Sequence, residues 1–220
     1  MRLTTIAATV ATLCFAAAGA AVAGPLNTGV NADGSTTTPG TLDNAWTGVD
    51  VTQEIPVLPA YAVSGYYGAW YTTPNAQWIS PVVATDGTTN AANYGYSAND
   101  YINWSQTFTL TANGAASDIL GLFAVDNALV GIVITNANGI FNVNVSAGCF
   151  TALTGFDIPV ADLVAGTNTI TFETENFASE SGNPTGLLVE FTQVPEPASA
   201  ALFGVGMLAL AMASRRRSGA

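Results

Sequence analysis

The side chains that most enzymes use for acid–base and nucleophilic chemistry are missing from almost all of this sequence. There is no histidine or lysine, and the only basic residues are Arg2, Arg215, Arg216 and Arg217. Without histidine, a chain has no Ser-His-Asp triad, no Cys-His dyad and no imidazole metal ligand. A carboxylate pair could still hydrolyse a glycosidic bond, but no spacing among the later acids singles out such a pair. These acids are Asp100, Asp118, Asp126, Asp157, Glu173, Glu175 and Glu190. We therefore expect that the protein is not an enzyme.

A group of tyrosines and tryptophans precedes the clearest strand patterns and offers rings that could stack on sugar faces. It comprises Tyr61, Tyr66, Tyr67, Trp70, Tyr71, Trp78, Tyr94, Tyr96, Tyr101 and Trp104. The alternative is that the rings fill the core, as aromatic residues often do in β proteins. For any single ring we favour the core, and we expect some members at the surface. The possible ligand-binding residues are Trp70, Tyr71, Trp78, Tyr94 and Tyr96.

The acidic balance of the chain excludes two classes of partner. The net charge is −11 at pH 7, and no basic residue lies between Arg2 and Arg215. A surface without cations cannot neutralise phosphates, so the sequence predicts no binding to nucleic acid or to anionic lipid headgroups.

Cys149 is the only cysteine outside the predicted signal peptide, which excludes an intrachain disulfide. We expect Cys149 to be a small buried apolar residue.

The elements that would position these residues are strands. Short runs of Val, Ile, Phe and Thr separated by Gly and Asn predict an all-β domain over residues 40–192, after an extended lead-in at 24–39. Asn138-Gly139 predicts a hairpin, and residues 160–164 predict one helical turn. Strands are predicted at 46–55, 104–110, 119–125, 129–135, 140–145, 169–174 and 186–192. This spacing is typical of an antiparallel β-sandwich or jelly roll.

Both ends of the chain carry hydrophobic segments. Residues 1–23 predict a secretory signal peptide, with Arg2 in the basic region and Ala21 and Ala23 at the cleavage site. At the other end, Pro195-Glu196-Pro197 precedes an apolar run and three arginines, which predicts a transmembrane helix over residues 198–214. The run of 16 apolar residues at 198–213 would span roughly 24 Å, somewhat less than the ~30 Å of hydrocarbon. The arginines would remain cytoplasmic and leave the domain outside the inner membrane.

The C-terminal tail resembles the PEP-CTERM sorting signal, in which a Pro-Glu-Pro triplet, an apolar helix and an arginine cluster occur in that order. The resemblance covers residues 194–217 and rests on Pro195, Glu196, Pro197, Arg215, Arg216 and Arg217. It implies that an exosortase recognises the tail and releases or transfers the protein to the cell surface. The exosortase and the inner membrane would then be transient partners. A generic tail anchor is the alternative, and it would lack the Pro-Glu-Pro triplet.

A second, less specific resemblance covers residues 40–192. It rests on the segments Trp78-Ile79-Ser80-Pro81, 121–127, Asn138-Gly139, 165–169 and 183–187. These are similar to domains of many PEP-CTERM proteins and to the galactose-binding-like jelly roll of carbohydrate-binding modules. The resemblance implies a fold more firmly than a ligand. It also implies a structural calcium ion, held by carboxylate and carbonyl oxygens at a place that the sequence does not locate.

The sequence therefore predicts an exported, surface-sorted, non-catalytic β-sandwich that associates with extracellular polysaccharide or matrix through weak carbohydrate binding. A purely structural or adhesive protein that contacts other proteins is the alternative. A carboxylate-based glycoside hydrolase is a third and weaker one.

Overall fold

The computed structural model describes residues 26–66, 68–95, 99–111, 117–179 and 182–194. In these ranges the regular structure consists of eleven strands and one 3-10 turn at Val160–Asp162. The strands are β1 (Thr47–Asp50), β2 (Ile55–Leu58), β3 (Tyr61–Val63), β4 (Trp78–Ser80), β5 (Asp100–Leu110), β6 (Ile119–Asp126), β7 (Ala128–Asn136), β8 (Gly139–Val143), β9 (Thr154–Ile158), β10 (Gly166–Asn176) and β11 (Gly186–Gln193).

The strands form two antiparallel sheets, as the all-β prediction required. The larger sheet has the order β2-β1-β5-β10-β7-β8, and the smaller sheet has the order β3-β4-β11-β6-β9. The longest pair is β5 with β10, which runs without a break from Leu110 opposite Gly166 to Asp100 opposite Asn176. The predicted hairpin is present as β7 and β8, but Asn136 lies opposite Gly139, so its turn lies at residues 137–138, one residue before the predicted Asn138-Gly139.

The inner faces of the two sheets meet in an aromatic core. Phe172 of β10 lies 6.1 Å from Phe123 of β6 and 5.5 Å from Phe156 of β9, measured between ring centroids. Trp46 completes the contact at 5.9 Å from Phe172. Alternate residues of β5 and β10 point into this core because successive side chains of a strand face opposite sides of its sheet. The arrangement is a β-sandwich.

The smaller sheet is covered on its outer face as well. Ile79 and Leu187 lie in the main core, whereas their neighbours Trp78 and Leu188 belong to a second apolar cluster on the opposite face. The loop between β3 and β4 closes over this cluster with Trp70. A strand buried on both faces needs apolar residues at every position, which explains the continuous apolar run in β6.

The predicted lead-in is part of the domain where the structure describes it. Leu26 and Val30 are buried, and the Thr28 backbone N–H donates to the Val189 carbonyl at 3.0 Å. The predicted strand at 46–55 is instead two paired strands, β1 and β2, joined through a turn in which Glu54 has a φ of 56°. Tertiary pairing divides the extended segment at this turn.

The predicted signal peptide at 1–23, with Ala21 and Ala23, and the predicted transmembrane helix at 198–214 lie outside the described residues. Within the described ranges, no helix is long and apolar enough to cross a membrane.

Candidate functional site

Two of the predicted ligand-binding rings, Trp70 and Trp78, are buried. They are 4% and 2% exposed, and their ring centroids lie 4.3 Å apart. The Trp70 indole N–H donates to Asp126 Oδ2 at 2.8 Å, and the Trp78 indole N–H donates to the Tyr71 carbonyl at 2.7 Å. Sugar stacking requires an exposed ring face, so Trp70 and Trp78 do not serve as ligand-binding rings and instead follow the favoured alternative, in which a ring is buried. Their hydrogen bonds connect the loop between β3 and β4 to the smaller sheet.

The other predicted rings are in three different situations. Tyr71 is 39% exposed, in the loop that covers the smaller sheet. Tyr94 is partly buried, and its hydroxyl donates to Asp50 Oδ2 at 2.6 Å. Tyr96 lies outside the described residues. The predicted residues therefore do not form one common sugar-binding rim among the described parts of the chain.

Tyr101 was grouped with the aromatic residues but not predicted as ligand-binding, and it is 41% exposed on the outer face of the larger sheet. Its hydroxyl donates to Glu175 Oε1 at 2.9 Å, and the Asn99 side chain donates to the same oxygen at 2.6 Å. This hydrogen bond to Glu175 raises the pKa of Tyr101 above its usual value. The ring is thus held in one place and presented to solvent.

Below Tyr101, the outward residues of β5 and β10 pair in successive polar rungs. Ser105 and Thr171 share a hydroxyl hydrogen bond at 2.8 Å, and Thr107 and Thr169 share one at 2.9 Å. We call this surface the polar strip; its rungs are Tyr101 with Glu175, Asn103 with Glu173, Ser105 with Thr171, and Thr107 with Thr169. Four rungs two residues apart span roughly 20 Å. The strip offers hydroxyl, amide and carboxylate groups on one face of the larger sheet.

A group of acidic and polar residues, buried except for the partly buried Tyr94, lies at the end of the larger sheet where β1 ends and β5 begins. We call it the acidic end cluster and define it as Asp50, Tyr94, Asp100 and Asn176. Besides the Tyr94 hydroxyl, Asp50 accepts the Gln53 backbone N–H at 2.7 Å. The Gln53 side chain donates to Asp100 Oδ1 at 3.1 Å. The register places Asp100 directly opposite Asn176.

The electrostatics of this cluster follow from burial without a positive charge. Burial raises the pKa of Asp100; the hydrogen bond from Gln53 lowers it, and the charge of Asp50 raises it further. The pKa of Tyr94 is also raised, by burial first and then by its hydrogen bond to Asp50. Since the sequence has no basic residue between Arg2 and Arg215, the described residues include no cationic side chain.

Asp126 is a further buried carboxyl, on the smaller sheet. Burial raises its pKa to about 6, and the hydrogen bond from Trp70 acts in the opposite direction. The Asn127 side chain donates to its other oxygen at 2.6 Å. Asp126 is therefore linked to the loop that carries Trp70.

The remaining candidate groups are scattered. Among the described residues, no three Asp, Glu or Cys side chains converge as a metal-binding set. Cys149 was expected to be buried, and this is wrong: it lies exposed in the segment between β8 and β9. Hydrogen bonds with Thr151 lower the pKa of its thiol. Cys149 pairs with Ala152 in an isolated β-bridge within this segment.

Comparison with protein families matches residues 193–217 to the PEP-CTERM protein-sorting motif. The chain carries a PEP-CTERM sorting motif. Such a motif indicates a protein that an exosortase processes and that is sorted to the cell envelope or surface. The matched range contains Pro195, Glu196, Pro197 and the arginines 215–217, all outside the described residues. No curated protein and no solved structure matches the chain.

Proposed function

We propose that this exosortase substrate is a non-catalytic β-sandwich that associates with extracellular polysaccharide or matrix at the cell surface through weak carbohydrate binding. The observation that carries the proposal is the PEP-CTERM motif at the end of a sandwich whose largest exposed sheet face bears the polar strip. The described domain has no cationic side chain, which fits a neutral sugar better than an anionic ligand.

The junction between domain and tail supports sorting of the sandwich as a unit. Gln193 is both the last residue of β11 and the first residue of the motif. β11 lies between β4 and β6 in the smaller sheet, and the Phe191 N–H donates to the Asn27 side chain at 2.7 Å. The domain is thus firmly built up to the point where the tail begins. Before processing it would lie directly at the outer face of the inner membrane, and processing would release it.

Mass spectrometry of the surface or released protein tests this sorting step. The mature form from a host with its exosortase should lack residues 215–220. Glu196→Ala should leave membrane insertion intact and block maturation, since the Pro-Glu-Pro triplet would be accessible at the membrane surface. A mature form that still carries Arg215 would contradict the proposal.

The strand order supports a jelly roll, the finer form of the sandwich. In that fold, four strands pair antiparallel with the next four, and the long hairpin wraps into two sheets. Here β4 pairs with β11, β5 with β10, β6 with β9, and β7 with β8. The remaining neighbours, β11 with β6 and β10 with β7, join these pairs into two four-stranded layers. The strands β1, β2 and β3 extend the two sheets.

The polar strip supports the carbohydrate part of the proposal. Tyr101 presents an exposed ring, and the neighbouring Asn103 and Glu173 could bond sugar hydroxyls. By analogy with aromatic pairs, stacking on this ring is worth about 1 kcal/mol, which corresponds to roughly fivefold in affinity. The other described tyrosine with comparable exposure, Tyr71, lies on the opposite side of the sandwich and offers a matched control.

The test compares Tyr101→Ala with Tyr71→Ala in retention on the host's own extracellular polysaccharide. Tyr101→Ala should weaken retention several-fold, whereas Tyr71→Ala should leave it unchanged, and both should fold. Equal retention of the two variants and the unchanged protein would contradict a binding role for the strip. A result in which only Tyr71→Ala loses retention would move the site to the smaller sheet.

A structural or adhesive role is the alternative, and it is supported by the edges of the larger sheet. Val57 on the edge strand β2 and Ile140 on the edge strand β8 are both strongly exposed. Exposed apolar edge strands can pair with another chain. A glycan array distinguishes the two roles, because a purely structural protein should show no sugar preference.

A further inference from the structure

The acidic end cluster contains two buried oxygen atoms without a hydrogen-bond partner in the described structure. They are Asp100 Oδ2 and Asn176 Oδ1. Asp100 is 4% exposed and Asn176 is 1% exposed. Both side chains point inward from positions directly opposite each other on β5 and β10. A buried oxygen that accepts nothing is costly, so a paired set of them suggests that a ligand is bound there.

The hydrogen-bond donors around the cluster are committed elsewhere. The Tyr94 hydroxyl and the Gln53 backbone N–H donate to Asp50, and the Gln53 side chain donates to Asp100 Oδ1. The Asn176 amide donates to the Tyr94 carbonyl at 2.5 Å. None of these donors makes a hydrogen bond to the two unpartnered oxygens. The two oxygens therefore receive no donor from the side chains of the cluster.

This chain cannot supply positive charge from its own domain. Asp50 is fully buried, Asp100 nearly so, and the sequence offers no basic residue between Arg2 and Arg215. In a domain of ordinary composition, an arginine or lysine would pair with such carboxylates. A proton taken up by Asp100 or an ion from the surroundings would neutralise them, and the measurement of bound metal described below distinguishes the two.

We propose that Asp100, Asn176 and Asp50 hold one hard divalent cation, with Ca²⁺ as the best match. Carboxylate and amide oxygens are the ligands that Ca²⁺ takes in proteins, and its flexible shell accepts water and backbone carbonyls at the other positions. Mg²⁺ requires a smaller and more regular octahedral shell. The residues come from β1, β5 and β10, which are neighbours in the larger sheet. The cation would join the ends of these three strands, independently of any carbohydrate binding.

The experiment uses the exported chain purified in mild detergent, first treated with EGTA and then supplied with Ca²⁺ or Mg²⁺. Bound metal is measured by mass spectrometry after gel filtration, and thermal unfolding is followed through the four tryptophans, all of which are buried. We expect about one Ca²⁺ per chain. At about a hundredfold excess over Kd, the unfolding midpoint should rise by roughly 5–10 °C. Mg²⁺ should give a smaller shift.

Asp100→Asn tests the assignment of residues, because it keeps the shape of the side chain and removes its charge. It should abolish the Ca²⁺-dependent shift while leaving the EGTA-treated form as stable as the unchanged protein, or more so. Asp157→Asn is the matched control; Asp157 is exposed on β9, and the shift should be unaffected. A shift that persists in Asp100→Asn, or no shift and no bound metal in the unchanged protein, would overturn the proposal.

A second variant decides the matter if Asp100→Asn fails to fold. Asn176→Asp adds a third carboxylate to the cluster, which should lower the unfolding midpoint in EGTA and enlarge the shift produced by Ca²⁺. If the cluster binds no cation, the added charge should destabilise the protein equally with and without Ca²⁺, and the proposal fails.

Discussion

Replacing Trp70 with phenylalanine should destabilise the domain by an amount that depends on pH. The indole N–H of Trp70 donates to Asp126 Oδ2 at 2.8 Å, and phenylalanine cannot replace this donor. Burial raises the pKa of Asp126 from its usual value of 3.8 to about 6. At pH 8 the lost hydrogen bond therefore serves a buried carboxylate, whereas at pH 5 it serves mostly a neutral carboxyl group.

The magnitude follows from the charge state of Asp126. A hydrogen bond to a charged group contributes about 1.5–3 kcal/mol, and one between neutral groups contributes about 0.5–1.5 kcal/mol. Trp70→Phe should thus cost about 1 kcal/mol more at pH 8 than at pH 5.

The unchanged protein should itself become less stable as the pH rises. Because the pKa of Asp126 is higher in the folded protein than in the unfolded chain, the native state binds the proton more tightly. The contribution of Asp126 to stability is therefore greatest below about pH 4 and falls as the pH rises through about 6, by roughly 3 kcal/mol in all. Loss of the Trp70 donor raises the pKa of Asp126 in the folded protein further, so the loss of stability between pH 5 and pH 8 becomes larger.

Urea unfolding followed by far-UV circular dichroism at pH 5 and pH 8 measures the effect without depending on tryptophan fluorescence. Trp78→Phe is the matched control, since Trp78 is equally buried but donates to the carbonyl of Tyr71, which does not titrate. Its cost should be the same at both pH values. If Trp70→Phe also costs the same at pH 5 and pH 8, the assigned link between Trp70 and Asp126 is wrong.

Three further predictions follow from the packing, the surface and the tail. Gly121→Ala should destabilise the domain by about 1–3 kcal/mol, because a Cβ there would overlap the ring of Phe156, whereas Gly155→Ala on the neighbouring strand has room and should be nearly neutral in the same unfolding assay. Cys149 should react with a maleimide in the folded protein at a rate close to that of the denatured chain; strong protection on folding would contradict its exposure. Deleting the arginines 215–217 should loosen membrane retention of the unprocessed chain in a strain without exosortase, because basic residues hold a segment on the cytoplasmic side. Unchanged fractionation of that deletion would count against the predicted orientation.

Much of the fold was predictable because its signals are local. The alternation in β5 and β10, the apolar run of β6 and the hairpin at residues 137–138 each lie in a short stretch of sequence. The short strands β2, β3 and β4 and the strand β9 were not predicted. β3 and β4 have only three residues each, too few for a period to show, and they form because a neighbouring strand offers them an edge.

The candidate sites were less accessible to sequence reasoning. Trp70 and Tyr71 are adjacent residues of similar type, yet one is buried and the other exposed. The sequence does not show that the loop between β3 and β4 covers the outer face of the smaller sheet. That covering buries Trp70 and Trp78, two of the possible ligand-binding residues.

The sequence by itself determined the sorting motif, the β-rich domain and the absence of cationic side chains between Arg2 and Arg215, since each depends on residue types in contiguous order. Only the tertiary structure decided which side chains meet. Asp50, Asp100 and Asn176 come from three strands far apart in sequence, and Tyr101 reaches Glu175 only through the register of β5 against β10. Strand register depends on the whole sheet, because a shift by one residue would turn every side chain to the other face.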